Sequence, residues 1–331
     1  TLADVPEYPA RLDVAYPVWE LARYPRAWGE LLDAFDEVWV PSRFVADAVA
    51  PVTSRPVTVL PWGVQPTIRV VRGRRFFGIP ESAFAFLFMM DLRSYRTRKN
   101  PEGTLEAFRR FAEKYPLADA VLVLKVLGAD AVPSEFERFR RSLSSIEGRT
   151  VVLTDDLSDS DTKCLVWCCD SFLSLHRSEG FGRCLAEARY FGKPVVASGY
   201  SGNLEFMSGE NSCLVGHDLV EVPVGAYPHW LGQTWAEPRA DEAVRWMERV
   251  AFDETFRLSV GRAGRRTVET ELSYLACGLR MRDRLEAAGA DRDAADGRKR
   301  ADEACERPGD ADVEGRAGCR RGAWRAPVAA G

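Results

Sequence analysis

Between residues 84 and 216 short apolar runs alternate with amphipathic stretches. FAFLFMMDL (84–92), AVLVLKVLG (120–128), TVVLTDD (150–156), DSFLSL (170–175), KPVVAS (193–198) and NSCLVG (211–216) end in polar or glycine turns. Runs this short and apolar on both faces suit parallel strands covered by helices on each side. Between them, NPEGTLEAFRRFAEKYP (100–116) places Leu105, Phe108 and Phe111 at helical spacing behind a proline, and SDTKCLVWC (160–168) and RCLAEARYFGK (183–193) fill the next gaps. The alternation predicts an α/β fold, a doubly wound Rossmann-like parallel sheet, whose ligands sit beyond the carboxyl ends of the strands.

The flanks read differently. DEVWVPSRFVADAVA (36–50) predicts a strand, a Ser42 cap and a helix, and VTVLPWGV (57–64) a further strand. This makes 1–66 a partial second α/β domain and 67–286 the main one, with helices over 240–286. From about 287 the chain is rich in Ala, Arg, Asp and Gly with almost no large apolar residue. Such a segment cannot offset its ordering entropy, so 287–331 is expected to be a disordered tail.

Composition narrows the function. With 331 residues, 46% hydrophobic, 28% charged and a formal charge of −4, the chain reads as a soluble globular protein. It shows no general nucleic-acid or membrane-surface character and no run able to span a bilayer. The eight cysteines include Cys164, Cys168 and Cys169 without a second pair at zinc spacing, and read as buried thiols. The start lacks a basic segment followed by an apolar core, so the expected location is the cytoplasm.

The candidate chemistry lies in SLHRSEGFGRCLAEARYFGKPVVASGYSGN (174–203), where Glu179 and Glu187 flank a Gly-Phe-Gly turn. A carboxylate accepts two hydrogen bonds at once and suits adjacent sugar hydroxyls. If a helix begins near Arg183, Glu187 lies about one turn, ~5.4 Å, inside it, and both carboxylates can bracket one ligand. Gly180 and Gly182 let the backbone approach, and the helix start favours negative charge.

SEGFGRCLAEA resembles the E-x7-E signature of retaining glycosyltransferases of family 4, which have the two-domain GT-B fold. DLRSYRTRKNP (91–101), GKPVVASGYSGNLEFM (192–207), WAEP (235–238) and, weakly, DEVWVPS (36–42) extend the resemblance over most of 36–285. It implies a hexosyltransferase that takes the sugar from a nucleotide-diphosphate donor, UDP- or GDP-linked, to a carbohydrate or other small acceptor, with retention and without a catalytic metal or other cofactor. On this resemblance Glu179 contacts the transferred sugar, Glu187 the nucleotide ribose, and Gly180, Phe181 and Gly182 help hold the sugar. Lys99 binds the diphosphate. The family commonly carries an arginine five positions before that lysine; Ser94 stands there, and Arg98 is the nearest guanidinium.

Other residues keep two readings. His176 either touches the sugar or is a strand-end histidine oriented by its neighbours. Lys125, inside an apolar strand, is a ligand contact or an ion-pair partner. Asn203 and Glu205 either approach the donor or belong to a turn. DSD at 159–161 resembles the metal-binding triplet of the other glycosyltransferase fold and is read as a helix cap. The Gly-rich loop and catalytic-site histidine of the family's first domain are not visible; His176, His217 and His229 all lie in the later half. The sequence therefore predicts an N-terminally shortened glycosyltransferase, with a catalytically silent nucleotide-sugar-binding fragment as the alternative and a sugar-nucleotide epimerase as a weaker third.

Overall fold

A computed structural model of the chain describes residues 12–305. The first unit contains β1 (Val14–Ala15), α1 (Arg26–Leu32), β2 (Glu37–Val40), α2 (Arg43–Val49) and β3 (Val57–Val59), with the strands parallel in the order β1-β2-β3. Ser42 caps α2 as expected, its Oγ accepting from Val45 N at 3.4 Å.

The main unit follows: β4 (Phe84–Asp91), α3 (Arg96–Lys99), α4 (Pro101–Lys114), β5 (Ala120–Leu127), α5 (Pro133–Arg141), β6 (Thr150–Leu153), α6 (Asp159–Cys168), β7 (Ser171–Ser174), α7 (Arg183–Tyr190), β8 (Val195–Ser198) and β9 (Cys213–Val215). Its six strands lie in the order β6-β5-β4-β7-β8-β9, and every pairing is parallel. Strand order reverses between β4 and β7, so the crevice above their carboxyl ends is a topological switch point. Both faces are covered. Phe86, Phe108, Phe111 and Met247 are among the core residues on one side, and Leu87, Leu165, Phe172 and Leu185 on the other.

An antiparallel hairpin, β10 (His217–Glu221) and β11 (Thr234–Pro238), comes next, then α8 (Ala240–Phe252), α9 (Glu254–Glu271) and α10 (Tyr274–Cys305). The hairpin region contributes Val222, Tyr227 and Trp235 to the core of the first unit, beside Trp19, Leu21 and Val38. Where the sequence predicts a structureless tail from 287, α10 continues to Cys305. Its Ala, Arg and Glu residues are strong helix formers and extend a helix already nucleated at Tyr274. The rest of that predicted tail, 306–331, lies outside the described residues. No helix among the described residues is long and apolar enough to cross a membrane.

Phe111 on α4 is fully buried, whereas Leu117, just beyond the helix, is 97% exposed. Phe111→Ala is expected to cost about 3–5 kcal/mol in urea unfolding. Leu117→Ala is expected to stay within about 0.5 kcal/mol of the parent.

Candidate functional site

Two segments leave the sheet at the switch point. After β4, the short helix α3 presents Arg98 and Lys99, and Asn100 ends it in the left-handed region at φ 53°. Asn100 caps α4 through Gly103 N (3.1 Å) and donates to Leu175 O (2.8 Å), which ties this turn to the end of β7. Pro101 sits at the first position of α4, where the missing N–H costs nothing. In RKNP, then, the asparagine and proline shape the turn, Lys99 lines the crevice and Arg98 is turned inward. Arg177 clamps the same turn: its N donates to Arg98 O (2.8 Å), its guanidinium to Thr97 O (2.6 Å) and to Glu237 of β11 (2.7 Å).

After β7, the loop after β8 sets the backbone of Glu179. Glu179 N donates to Ser201 Oγ (2.8 Å), and Gly202 N donates to Glu179 O (2.8 Å). Ser42 Oγ, the cap of α2, donates to Gly180 O at 2.7 Å, bringing the first unit onto this loop. Gly182 takes φ 89° to start α7, a conformation that a side chain would strain.

Glu179 is 8% exposed. Its Oε1 takes both cations, Lys99 Nζ at 2.5 Å and Arg98 Nη1 at 3.2 Å, which leaves Oε2 for a ligand hydroxyl. Burial works to raise its pKa, and Lys99 and Arg98 outweigh it, bringing the value down to about 2. Arg98 is buried as well. It donates to Ser178 O (2.7 Å) and Ser94 Oγ (3.3 Å), and its Nε lies 2.9 Å from Glu20 Oε2.

Glu179, Lys99 and the Gly180-Phe181-Gly182 turn line an inner cavity of about 170 Å³, closed from the first unit by Val18, Glu20 and Trp62. Beside it is an outer cavity of about 190 Å³, lined by Glu187, Lys163, Asp159, Arg69, Tyr274 and the 65–67 stretch. Arg183 lines both. Glu187 repeats the pattern of Glu179: Lys163 Nζ (2.8 Å) and Arg183 Nε (3.0 Å) bond the same oxygen, Oε1. The structure thus divides the acidic pair between two adjoining cavities with a shared arginine. A larger hollow of about 400 Å³ lies at the opposite, amino ends of the strands, by Phe84 and Ala120. Its arginines are taken up by backbone carbonyls, Arg74 by Ala83 O (2.6 Å) and Arg257 by Val250 O (3.0 Å).

Several expected contacts are placed elsewhere. Arg98 lines neither cavity and faces two carboxylates of its own chain, with Ser94 as one of its supports. Lys125 also lines neither: its Nζ donates to Asp155 O at 2.7 Å, and burial lowers its pKa. His176 is fully buried behind the cavity wall, with Nδ1 3.1 Å from Ser174 Oγ and Nε2 3.1 Å from Asn203 Oδ1. Asn203 Nδ2 donates to Ser198 O (3.0 Å), so its oxygen faces the ring and assigns the proton to Nε2. Burial pushes the His176 pKa down, in keeping with a neutral ring oriented by its neighbours. Glu205 accepts from Arg43 N (2.7 Å), at a separate surface hollow with Phe44 and Tyr200. The cap of α6 is Ser158, which accepts from Asp161 N (3.1 Å), one residue before the DSD triplet read as the cap; Asp159 and Asp161 occupy the first turn. Among the described residues no cluster of three or more His, Cys, Asp or Glu is arranged to hold a metal ion.

The sequence reading missed Glu20, Lys163, Arg183, Arg69 and Tyr274. Arg183 stands four residues before Glu187, and Lys163 four after Asp159, spacings that signal facing helical pairs. Glu20, Arg69 and Tyr274 reach the site from distant parts of the chain and carry no local signal.

Residues 74–215 match the model of the family described as glycosyl transferases group 1. No curated protein sequence matches the chain. Among solved structures, HepE from Anabaena, in complex with UDP and glucose, superposes with a TM-score of 0.65 at 15% identity, over 83% of this chain and 71% of HepE. Sucrose-phosphate synthase from Thermosynechococcus elongatus gives 0.59 at 18% identity, over 80% of this chain and 61% of the synthase. A glycosyltransferase from Rickettsia africae gives 0.60 at 15% identity, over 83% and 69%. These likenesses show a GT-B-like fold with parallel Rossmann-like sheets.

Glu179→Gln leaves Lys99 without its carboxylate and Arg98 with Glu20 alone, and is expected to cost about 3 kcal/mol at pH 7 by urea unfolding. Because the folded-state pKa is depressed, the stabilisation is present above the ordinary value of 4.5 and lost as the pH falls toward about 2. The gap between parent and variant should narrow over that interval.

Proposed function

On the premise that residues 74–215 belong to the glycosyl transferases group 1 family, we propose that the chain binds a nucleotide-diphosphate hexose across the two cavities and transfers the hexose with retention to a carbohydrate or other small acceptor. The observation that carries this reading is the Lys99–Glu179 pair at the switch point, opening on the same cavity as the Gly180-Phe181-Gly182 turn. Glu179 Oε2 accepts from sugar hydroxyls in the inner cavity. Glu187 Oε2 accepts from the ribose in the outer one. The diphosphate lies between them, where the Lys99 ammonium, the Arg183 guanidinium and the first N–H groups of α7 converge. As the sugar–oxygen bond breaks, negative charge builds on the departing phosphate, and cations already in place lower that barrier without reorganising. Arg98 acts here as a positioning residue that holds Glu179 from behind.

A second reading is binding without turnover. It is favoured by Arg98, whose guanidinium is closed over by Glu20 and Glu179 and is not presented to a ligand.

Calorimetric titration with UDP- and GDP-hexoses tests the first step. The parent is expected to bind at least one, and Lys99→Ala and Glu187→Ala are each expected to weaken binding about tenfold or more. Failure to bind any of them, or undiminished binding by both variants, overturns the reading. Release of free nucleoside diphosphate over long incubation, followed by ion-exchange chromatography, supports transfer; binding with no release supports the second reading.

A further inference from the structure

Glu20 is the acidic residue of the inner cavity that comes from outside the main sheet. It follows β1, and its carboxylate lines the same 170 Å³ space as Glu179 and Lys99. Both of its fixed contacts fall on one oxygen: Oε2 accepts from Tyr227 Oη at 2.9 Å and lies 2.9 Å from Arg98 Nε. Tyr227 belongs to the segment between β10 and β11 and is packed against Trp19 at 5.4 Å between ring centroids, so the anchor is itself held. The side chain retains 20% exposure, and neither contact falls on Oε1. Val18, two residues earlier, closes on Gly180, where an added Cβ would come within 2.8 Å of its Cγ1. The segment that carries Glu20 is therefore seated on the turn beside Glu179.

We propose that Glu20 is a specificity-determining residue for the transferred sugar, selecting neutral, hydroxyl-bearing hexoses and rejecting uronic acids. The inference rests on the donor-site reading above. A hydroxyl on the face of the sugar turned away from Glu179 donates to Oε1 of a carboxylate whose other oxygen is pinned, so little freedom is lost on binding. A sugar carboxylate at the same place brings a third carboxylate, after Glu20 and Glu179, into a small cavity. The cations that line it are already paired, Lys99 with Glu179 and Arg183 with Glu187, and Arg98 lies behind it between Glu20 and Glu179. Like charges in such a space repel strongly. Hydrogen bonding to the correct group and repulsion of its oxidised analogue then act through the same atom.

The test compares UDP-glucose with UDP-glucuronate, and GDP-mannose with GDP-mannuronate, by calorimetry on the full chain. The parent is expected to favour the neutral hexose by about tenfold or more within whichever pair binds. Glu20→Gln, which keeps shape but removes the charge, should bring that preference to within about threefold while circular dichroism shows the fold unchanged. Tyr227→Phe, which keeps the charge but frees Oε2, should give an intermediate preference, a change that a merely structural role would not produce. Equal binding of both sugars by the parent, or a preference that Glu20→Gln leaves unmoved, overturns the assignment of Glu20 alone. Absence of binding for all four donors overturns the donor-site reading, and this inference falls with it.

Discussion

Glu179 stands at the tip of β7 with only 8% of its surface in water, and a carboxylate so placed is tolerated only where cations meet it. The two that do, Lys99 and Arg98, come from the tip of β4, across the reversal in strand order. Much of the surrounding architecture serves that encounter. Asn100 shapes the turn that sends Lys99 into the crevice and Arg98 beneath it, Arg177 fastens that turn to β11, and Ser201 and Gly202 hold the backbone of Glu179 from the other side. Two loops that are 80 residues apart in sequence become one polar surface.

The same device recurs at three carboxylates. Glu179 and Glu187 each give Oε1 to two cations, and Glu20 gives Oε2 to an arginine and a tyrosine. Anchoring through one oxygen fixes the orientation of the other before any ligand arrives, which is the condition under which hydrogen bonds discriminate between hydroxyl patterns. Arg183, bordering both cavities, supplies positive charge where a diphosphate bridge between sugar and nucleoside would run.

The main sheet was largely legible in the sequence, because buried parallel strands advertise themselves as short apolar runs and because helices such as α4 repeat large residues at helical spacing. The helix α5 was not, since its apolar stripe rests on two residues, Phe136 and Phe139, in a short and otherwise largely charged stretch. The hairpin β10–β11 escaped for a related reason: Leu219 is 60% exposed, and its alternation is broken. At the site, Glu179, Glu187 and Lys99 could be singled out because each belongs to a compact local pattern. Arg98 could be found but not oriented, because its direction depends on Glu20, a residue far away in the chain. Lys125 looked like a ligand contact only because a lysine in an apolar strand needs a partner, and the partner proved to be a backbone carbonyl.

The chain passes between its two units at residues 60–73 and again near 272–274, and the passages touch. Val64 N donates to Leu272 O at 2.6 Å, and Tyr274 lies over Gly63. Tyr274 and the 65–67 stretch also line the outer cavity, so the nucleoside end of the proposed ligand would sit where the two passages meet, whereas Glu20 belongs to the first unit. The two ends of the proposed ligand would therefore meet different parts of the molecule: the nucleoside end the segments that join the units, the sugar end a wall that the first unit supplies.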